Sequence, residues 1–166
     1  MRDSGRITQI NVSAGGVPKR SVEAARVTVF GVEGDSHAHV KLHGGPERAV
    51  CLFALERITA LAAEGHPIAP GAIGENVTVE DLEWSTVGPG TRFRLGSRLL
   101  LEVTSFTSPC AQIAGAFKAG AYGRVSQKRH PGWSRVYARV LEEGFIRRGD
   151  QVHLLPADAL SISTAR

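Results

Sequence analysis

The chain reads as a mainly β protein with a few helices, an α+β fold whose strands curl into a barrel or a strongly bent sheet. Short apolar or alternating segments recur about every ten residues, with turn-forming residues between them. Gly96-Ser97 joins two strand-like runs with the two-residue link of a hairpin. Helical periodicity is confined to two or three short stretches, so the strands must build the core.

In chain order, Arg6 to Val12 alternates as a strand, and Ala14-Gly15-Gly16-Val17-Pro18 breaks it. Ala25 to Phe30 is a second strand, and the segment from Gly31 to His39 is a glycine-punctuated loop. A tight turn over Lys41 to Arg48 leads into the apolar run Ala49-Val50-Cys51-Leu52-Phe53, another strand. Leu55, Ile58, Leu61 and Ala62 have helical spacing, and Gly65 with Pro67 ends what is expected to be the longest helix. Pro70 to Val79 is a loop entering a strand, and Val87-Gly88-Pro89-Gly90 is a turn. The hairpin strands follow, Thr91 to Leu95 and Arg98 to Phe106. Helices are expected over Ala111 to Lys118 and Tyr122 to Arg129, the second closed by His130-Pro131-Gly132-Trp133. Ser134 to Glu142 and Asp150 to Leu155 return to strands around a turn at Gly144 to Gly149, and Pro156 to Arg166 reads as a tail.

A chain of 166 residues suits one domain, here residues 1–166 with a core over about 6–155. Apolar residues at 42% and charged residues at 22% fit a globular protein and exclude general disorder. No apolar run approaches the roughly 18 residues of a membrane span, and Met1-Arg2-Asp3-Ser4-Gly5 opens no export signal, so a cytoplasmic protein with no membrane partner is expected. The net charge of +4 is spread in short pairs such as Lys19-Arg20, with few aromatics between them. That pattern suits a small anionic ligand and disfavours a nucleic-acid partner.

Chemistry is expected first at Cys110. It lies just past Pro109, where a strand gives way to a helical pattern, so it should sit at a helix N-terminus that favours thiolate. A thiolate there can act as a nucleophile, a persulfide carrier or a soft-metal ligand; an inert, buried cysteine is the alternative. Cys51, inside an apolar run, reads as core packing. Asp35, His37, His39 and His43 form an acid and histidine string that could bind zinc with Cys110, or lie on the surface. His43-Gly44-Gly45-Pro46-Glu47-Arg48 is either an anion cradle, its glycines letting backbone N–H groups approach a ligand, or a simple turn. Glu75 and Asn76 could hold an amide- or purine-like edge. Arg124, Lys128, His130 and Arg135 gather around Gly132-Trp133, as a phosphate site or as a solvated basic face.

Taken together, these motifs resemble the MOSC domain family, named for the C-terminal domain of molybdenum cofactor sulfurases. Gly34-Asp35, His43-Gly44-Gly45-Pro46-Glu47-Arg48-Ala49, Gly74-Glu75-Asn76, Leu95-Gly96, Ser108-Pro109-Cys110 and Gly132-Trp133 occur in that family's order, as in its small stand-alone bacterial members. The resemblance implies a MOSC-type β-barrel over the single domain, with Cys110 as its functional cysteine. It further implies molybdenum cofactor (molybdopterin) with Cys110 as metal ligand, or persulfide carriage from a pyridoxal-phosphate-dependent cysteine desulfurase. Stand-alone members are associated with reduction of N-hydroxylated bases and depend on a separate electron-transfer protein. Some relatives carry a basic residue where this chain has Thr107.

The expectation is therefore an oxidoreductase that reduces a small N-hydroxylated substrate on molybdenum cofactor. Cys110 ligates the metal, and Asp35 and His37 are proton donors to the leaving oxygen. His43, Gly44, Gly45, Arg48, Glu75, Asn76, Arg124, Lys128 and Arg135 hold the cofactor. The alternative is a sulfur carrier that accepts persulfide on Cys110.

Overall fold

The computed structural model describes residues 2–36 and 45–157. Its strands are β1 (Ser4–Val12), β2 (Arg20–Val22), β3 (Ala24–Thr28), β4 (Gly31–Val32), β5 (Val50–Ala54), β6 (Val77–Glu80), β7 (Arg92–Leu95), β8 (Leu99–Phe106), β9 (Val136–Glu142), β10 (Gly144–Arg147) and β11 (Gln151–Leu155). One α-helix, α1 (Leu55–Ala63), occurs among the described residues. None of their helices is long and apolar enough to cross a membrane.

Seven strands close a barrel in the order β11-β7-β8-β9-β5-β6-β1, with β1 pairing back onto β11 and β2 attached to the far end of β1. The closing ladder sets Ser4 opposite His153 and Arg6 opposite Gln151. Alternation dictates which side chains face inward: Phe93 and Leu95 of β7 and Leu99 and Leu101 of β8 are fully buried, while Arg92, Arg94 and Glu102 point outward. Strand β5 does not alternate; all five of its residues are buried. It is joined to β6 through α1, and β5–β6 is the one parallel pair in the barrel, as a helical crossover permits. Ile58 and Leu61 bury the inner stripe of α1. A smaller sheet, β10-β3-β4, lies beside the barrel.

Three expectations are corrected. The run Ala111 to Lys118 is not an α-helix: a 3-10 helix covers Ala111–Ala116, and Phe117 is extended at φ −122° and ψ 139°. Gly115 inside the run and the absence of a side-chain cap explain why a full helix does not form. The expected helix at Tyr122 to Arg129 likewise shrinks to a 3-10 segment, Tyr122–Val125. The presumed turn at Gly144 to Gly149 contains β10, which pairs with β3 and buries Ile146 completely. Gly144 marks close approach rather than a turn, since a Cβ there would meet the Leu99 backbone nitrogen at 2.7 Å.

Candidate active site

Cys110 is carried out of the barrel by the end of β8 and the segment Thr107-Ser108-Pro109. Its backbone is extended, at φ −140° and ψ 174°, in the cap position of the 3-10 helix Ala111–Ala116, and the residue is exposed. The Thr107 N–H donates to the Arg135 carbonyl at 3.1 Å, which ties this segment to the start of β9. Trp84 Nε1 donates to the Ser134 carbonyl at 3.0 Å and fixes the same place from below.

The cavity beside Cys110 is walled by Lys19, Cys51, Gln112, Arg135 and Tyr137, together with the backbone around Gly74. Strand register assembles it. Cys51 of β5 stands opposite Tyr137 of β9, so these two neighbouring strands deliver part of the wall, and Tyr137 stands opposite Ser105 near the end of β8, the strand that leads to Cys110. Cys51 is 4% exposed, and burial pushes its thiol up to about 12. Burial likewise pushes the Tyr137 hydroxyl up to about 12, so both groups are neutral at physiological pH.

Lys19 reaches the cavity from the loop after β1, and its Nζ lies 2.6 Å from Asp35 Oδ1 with both side chains almost wholly buried. Asp35 Oδ1 also accepts from the Ser13 N–H at 2.9 Å, and Oδ2 accepts from Asn76 Nδ2 at 2.9 Å. Asp35 therefore acts as an acceptor behind Lys19 and is not part of the cavity wall. Asn76 in turn accepts the Cys51 N–H at 3.0 Å and donates to the Asn11 carbonyl, joining β1, β5 and β6. Glu75 is fully buried, and its Oε2 accepts from the Gly71 N–H and Thr78 Oγ1. Burial raises its pKa, with those hydrogen bonds working the other way.

The remaining expected site residues are dispersed. Gly45 adopts φ 99° as it enters the 3-10 turn Pro46–Arg48, a conformation that favours glycine. The Arg48 guanidinium lies 5.3 Å from the Tyr137 ring centroid. Arg124 makes a two-pronged ion pair with Glu64 at 2.8 and 2.9 Å and lies 4.0 Å from the Trp133 ring centroid, outside the Cys110 cavity. Lys128 borders a second cleft on the other side of Ser108 and Pro109. Of the basic loop, Arg135 alone reaches the cysteine cavity. His37, His43 and Gly44, and the histidine string proposed for zinc, lie outside the described residues.

Sequence reasoning passed over Lys19 and Tyr137 as site residues. In the sequence Lys19 is half of the basic pair Lys19-Arg20, and nothing local joins it to Cys110. For Tyr137 the signal is its position in the strand after Arg135, but only the β5–β9 register shows that it faces Cys51.

The fold is a closed barrel that carries an exposed thiol beside a cavity, and the MOSC domain model matches residues 39–153. The chain belongs to the MOSC domain family. It is 33% identical over 151 residues to YflK of Bacillus subtilis, covering 89% of this chain and 66% of that protein. It is 35% identical over 130 residues to a protein named Reductase from Gibberella moniliformis, covering 75% of this chain and 22% of that one. The identity to Protein YiiM of Escherichia coli is 35% over 106 residues, covering 61% and 46%. The crystal structure of YiiM from Escherichia coli matches with a TM-score of 0.66 and 25% identity, covering 90% of this chain and 69% of that one. The chain thus spans two thirds or less of the length of each of these relatives by sequence.

Proposed function

We propose that this protein binds molybdenum cofactor and reduces N-hydroxylated small molecules with electrons from a separate electron-transfer protein. The observation that carries this reading is the exposed Cys110 thiol beside a cavity whose charged wall residues, Lys19 and Arg135, are both cationic. A soft thiolate suits molybdenum, and a cationic wall suits an anionic pterin cofactor. The buried, partnerless Nε of Arg135 is a further mark of fit, because an anionic group would satisfy it. Membership in the MOSC family and similarity to proteins named Reductase and YiiM support the same direction.

Cys110 would hold the metal, and Arg135 would meet the cofactor's negative charge. Arg48, held near Tyr137, and Gly45 would flank it, and Lys128 would meet a phosphate from the second cleft. A cofactor bound there would supply the two electrons for reduction of an N–O bond, which with two protons would give the amine and water. Asp35 fixes the ammonium of Lys19 at the cavity, so the acid works through the lysine. Gln112 and Tyr137 add neutral hydrogen-bonding groups for orienting a polar substrate.

The test is elemental analysis of protein made in a host that synthesises the cofactor and is supplied with molybdate. Near-stoichiometric molybdenum and reductase activity are expected, both lost in Cys110→Ala; retention of either in the variant refutes the assignment. Exposure of Cys110 also favours a second reading, since a thiol at the surface is within reach of a protein donor. In that reading Cys110 receives persulfide from a pyridoxal-phosphate-dependent cysteine desulfurase. Cyanide-releasable sulfur on Cys110 after incubation with a desulfurase and cysteine would mark it, and labelling of neither cysteine would remove it.

A further inference from the structure

Residues 103 to 141 carry six of the chain's twenty Lys and Arg residues and none of its sixteen Asp and Glu. Three of the six are already engaged: Arg124 pairs with Glu64, Arg139 pairs with Glu102, and Arg135 is buried in the wall of the cysteine cavity. Lys118, Lys128 and Arg129 are exposed, and no carboxylate among the described residues lies within ion-pair distance of them. Lys128 and Arg129 border the second cleft, a space of about 720 Å³ also walled by Phe106, Pro109 and Tyr122. Lys118 opens the 3-10 turn Lys118–Gly120, whose last residue lines the same cleft. Ser108 borders both this cleft and the Cys110 cavity, so an occupant of the cleft lies against the segment that carries the thiol. The exposed ground between Cys110 and the cations includes Ala111, Gly115, Ala119 and Ala121.

Exposed cations that no acid of the chain neutralises act at range: they attract an oppositely charged protein and orient its approach. A small-molecule pocket encloses its ligand among convergent polar groups, whereas these cations stand in solvent around open ground. Alanine and glycine have no rotamer freedom to lose when covered, and they let a partner's surface come close to the thiol. A nucleic-acid groove neutralises more phosphates than three cations can meet and stacks bases on exposed aromatics, but Phe106 and Tyr122 are half-buried. We infer that this face, from Cys110 across the second cleft to Arg129, docks the electron-donating protein through Asp and Glu side chains that meet Lys118 and Arg129. The inference rests on the reductase reading and adds to it the donor's place and its charge.

The test uses the full chain without metal and a short synthetic peptide of alternating Glu and Ala, with a peptide of alternating Gln and Ala as its neutral counterpart. Docking is read as slower alkylation of Cys110 by neutral iodoacetamide, followed by peptide mass spectrometry at low salt. The Glu peptide should slow the reaction saturably, by roughly fivefold or more, and added salt should weaken the effect steeply. In Lys118→Glu/Arg129→Glu the half-maximal peptide concentration should rise roughly tenfold or more. The same charge change in Arg26→Glu/Arg147→Glu should alter it by less than about twofold, because those arginines lie on the small sheet, which meets β8 at Leu99, the end away from Cys110. Equal protection by the Gln peptide, protection that does not saturate, or an unchanged half-maximal concentration in Lys118→Glu/Arg129→Glu would overturn the surface. So would tighter protection by a thymidine oligonucleotide of equal charge, which would assign the face to nucleic acid. Should that double variant fail to fold, Lys118→Gln/Arg129→Gln takes its place with the same expectation of weakened protection. None of these readouts uses molybdenum. Molybdenum uptake without peptide protection removes the docking surface alone, and protection without molybdenum uptake removes the reductase reading and leaves a surface for an acidic protein.

Discussion

Glu75 buries its carboxyl group completely, with one oxygen bonded twice and Oε1 buried without a partner. Its folded pKa is raised above the ordinary 4.5, so the folded state binds the proton more tightly than the unfolded chain. Its contribution is full below pH 4.5 and is lost as pH rises through the folded value, with a slope of about 1.4 kcal/mol per pH unit at most inside the window. Glu75→Gln keeps an oxygen for Gly71 and Thr78 and has no proton to lose. Denaturant unfolding across pH should show the variant gaining on the parent above pH 4.5; parallel profiles would contradict this account. At this scale the sequence located polar residues better than it assigned their tasks. The sequence predicts a ligand edge at Gly74-Glu75-Asn76, whereas in the fold Glu75 and Asn76 bond to β1, β5 and the Gly71 loop. Their direction depends on pairing with segments far along the chain, which no local pattern encodes.

Among the elements, β1 has the most partners: its first residues pair with β11, its middle with β6 and its end with β2. Gly5 pairs with Val152 of β11 just before the β6 ladder begins at Arg6, and a Cβ there would lie 2.0 Å from the Glu80 carbonyl oxygen. Gly5→Ala should therefore destabilise the barrel by about 3 kcal/mol, because backbone must move to admit the methyl group. Gly149 has φ 90° and open space around it, so Gly149→Ala should cost only about 1 kcal/mol in backbone strain. Similar thermal shifts for the two variants would show that the seam yields more easily than its geometry suggests. The barrel strands were largely legible, since alternation and turn residues are local signals: the hairpin β7–β8 turns at Gly96-Ser97, although the link is three residues rather than the expected two, with Arg98 in the turn and Leu95 opposite Leu99. The expected helices shorten to 3-10 segments because apolar spacing does not register missing caps. Strand β10 was hidden because its partner, β3, lies over a hundred residues earlier.

For the whole molecule, closure depends on β11, which joins β7 to β1 across nearly the full length of the chain. Deleting residues from 151 onward should abolish cooperative unfolding, measured by calorimetry or circular dichroism, because two ladders and the buried Val152 and Leu154 are lost together. A truncated chain that still melted as one unit would show that the barrel closes without its last strand. The MOSC resemblance was legible from the order of six short motifs, yet the cation lining the cysteine cavity with Arg135 was not, because Lys19 lies in none of them. Closure of the ring also bears on behaviour in a crowded cell. Among the described residues the seven barrel strands bond to neighbours on both sides, so unpaired strand edges are left only to short outliers: β2 with three residues, β4 with two and β10 with four. Edges this brief, one of them carrying Arg147, offer little template for another chain to add a strand, and resistance to amyloid-like association follows from the same geometry that holds the cysteine in place.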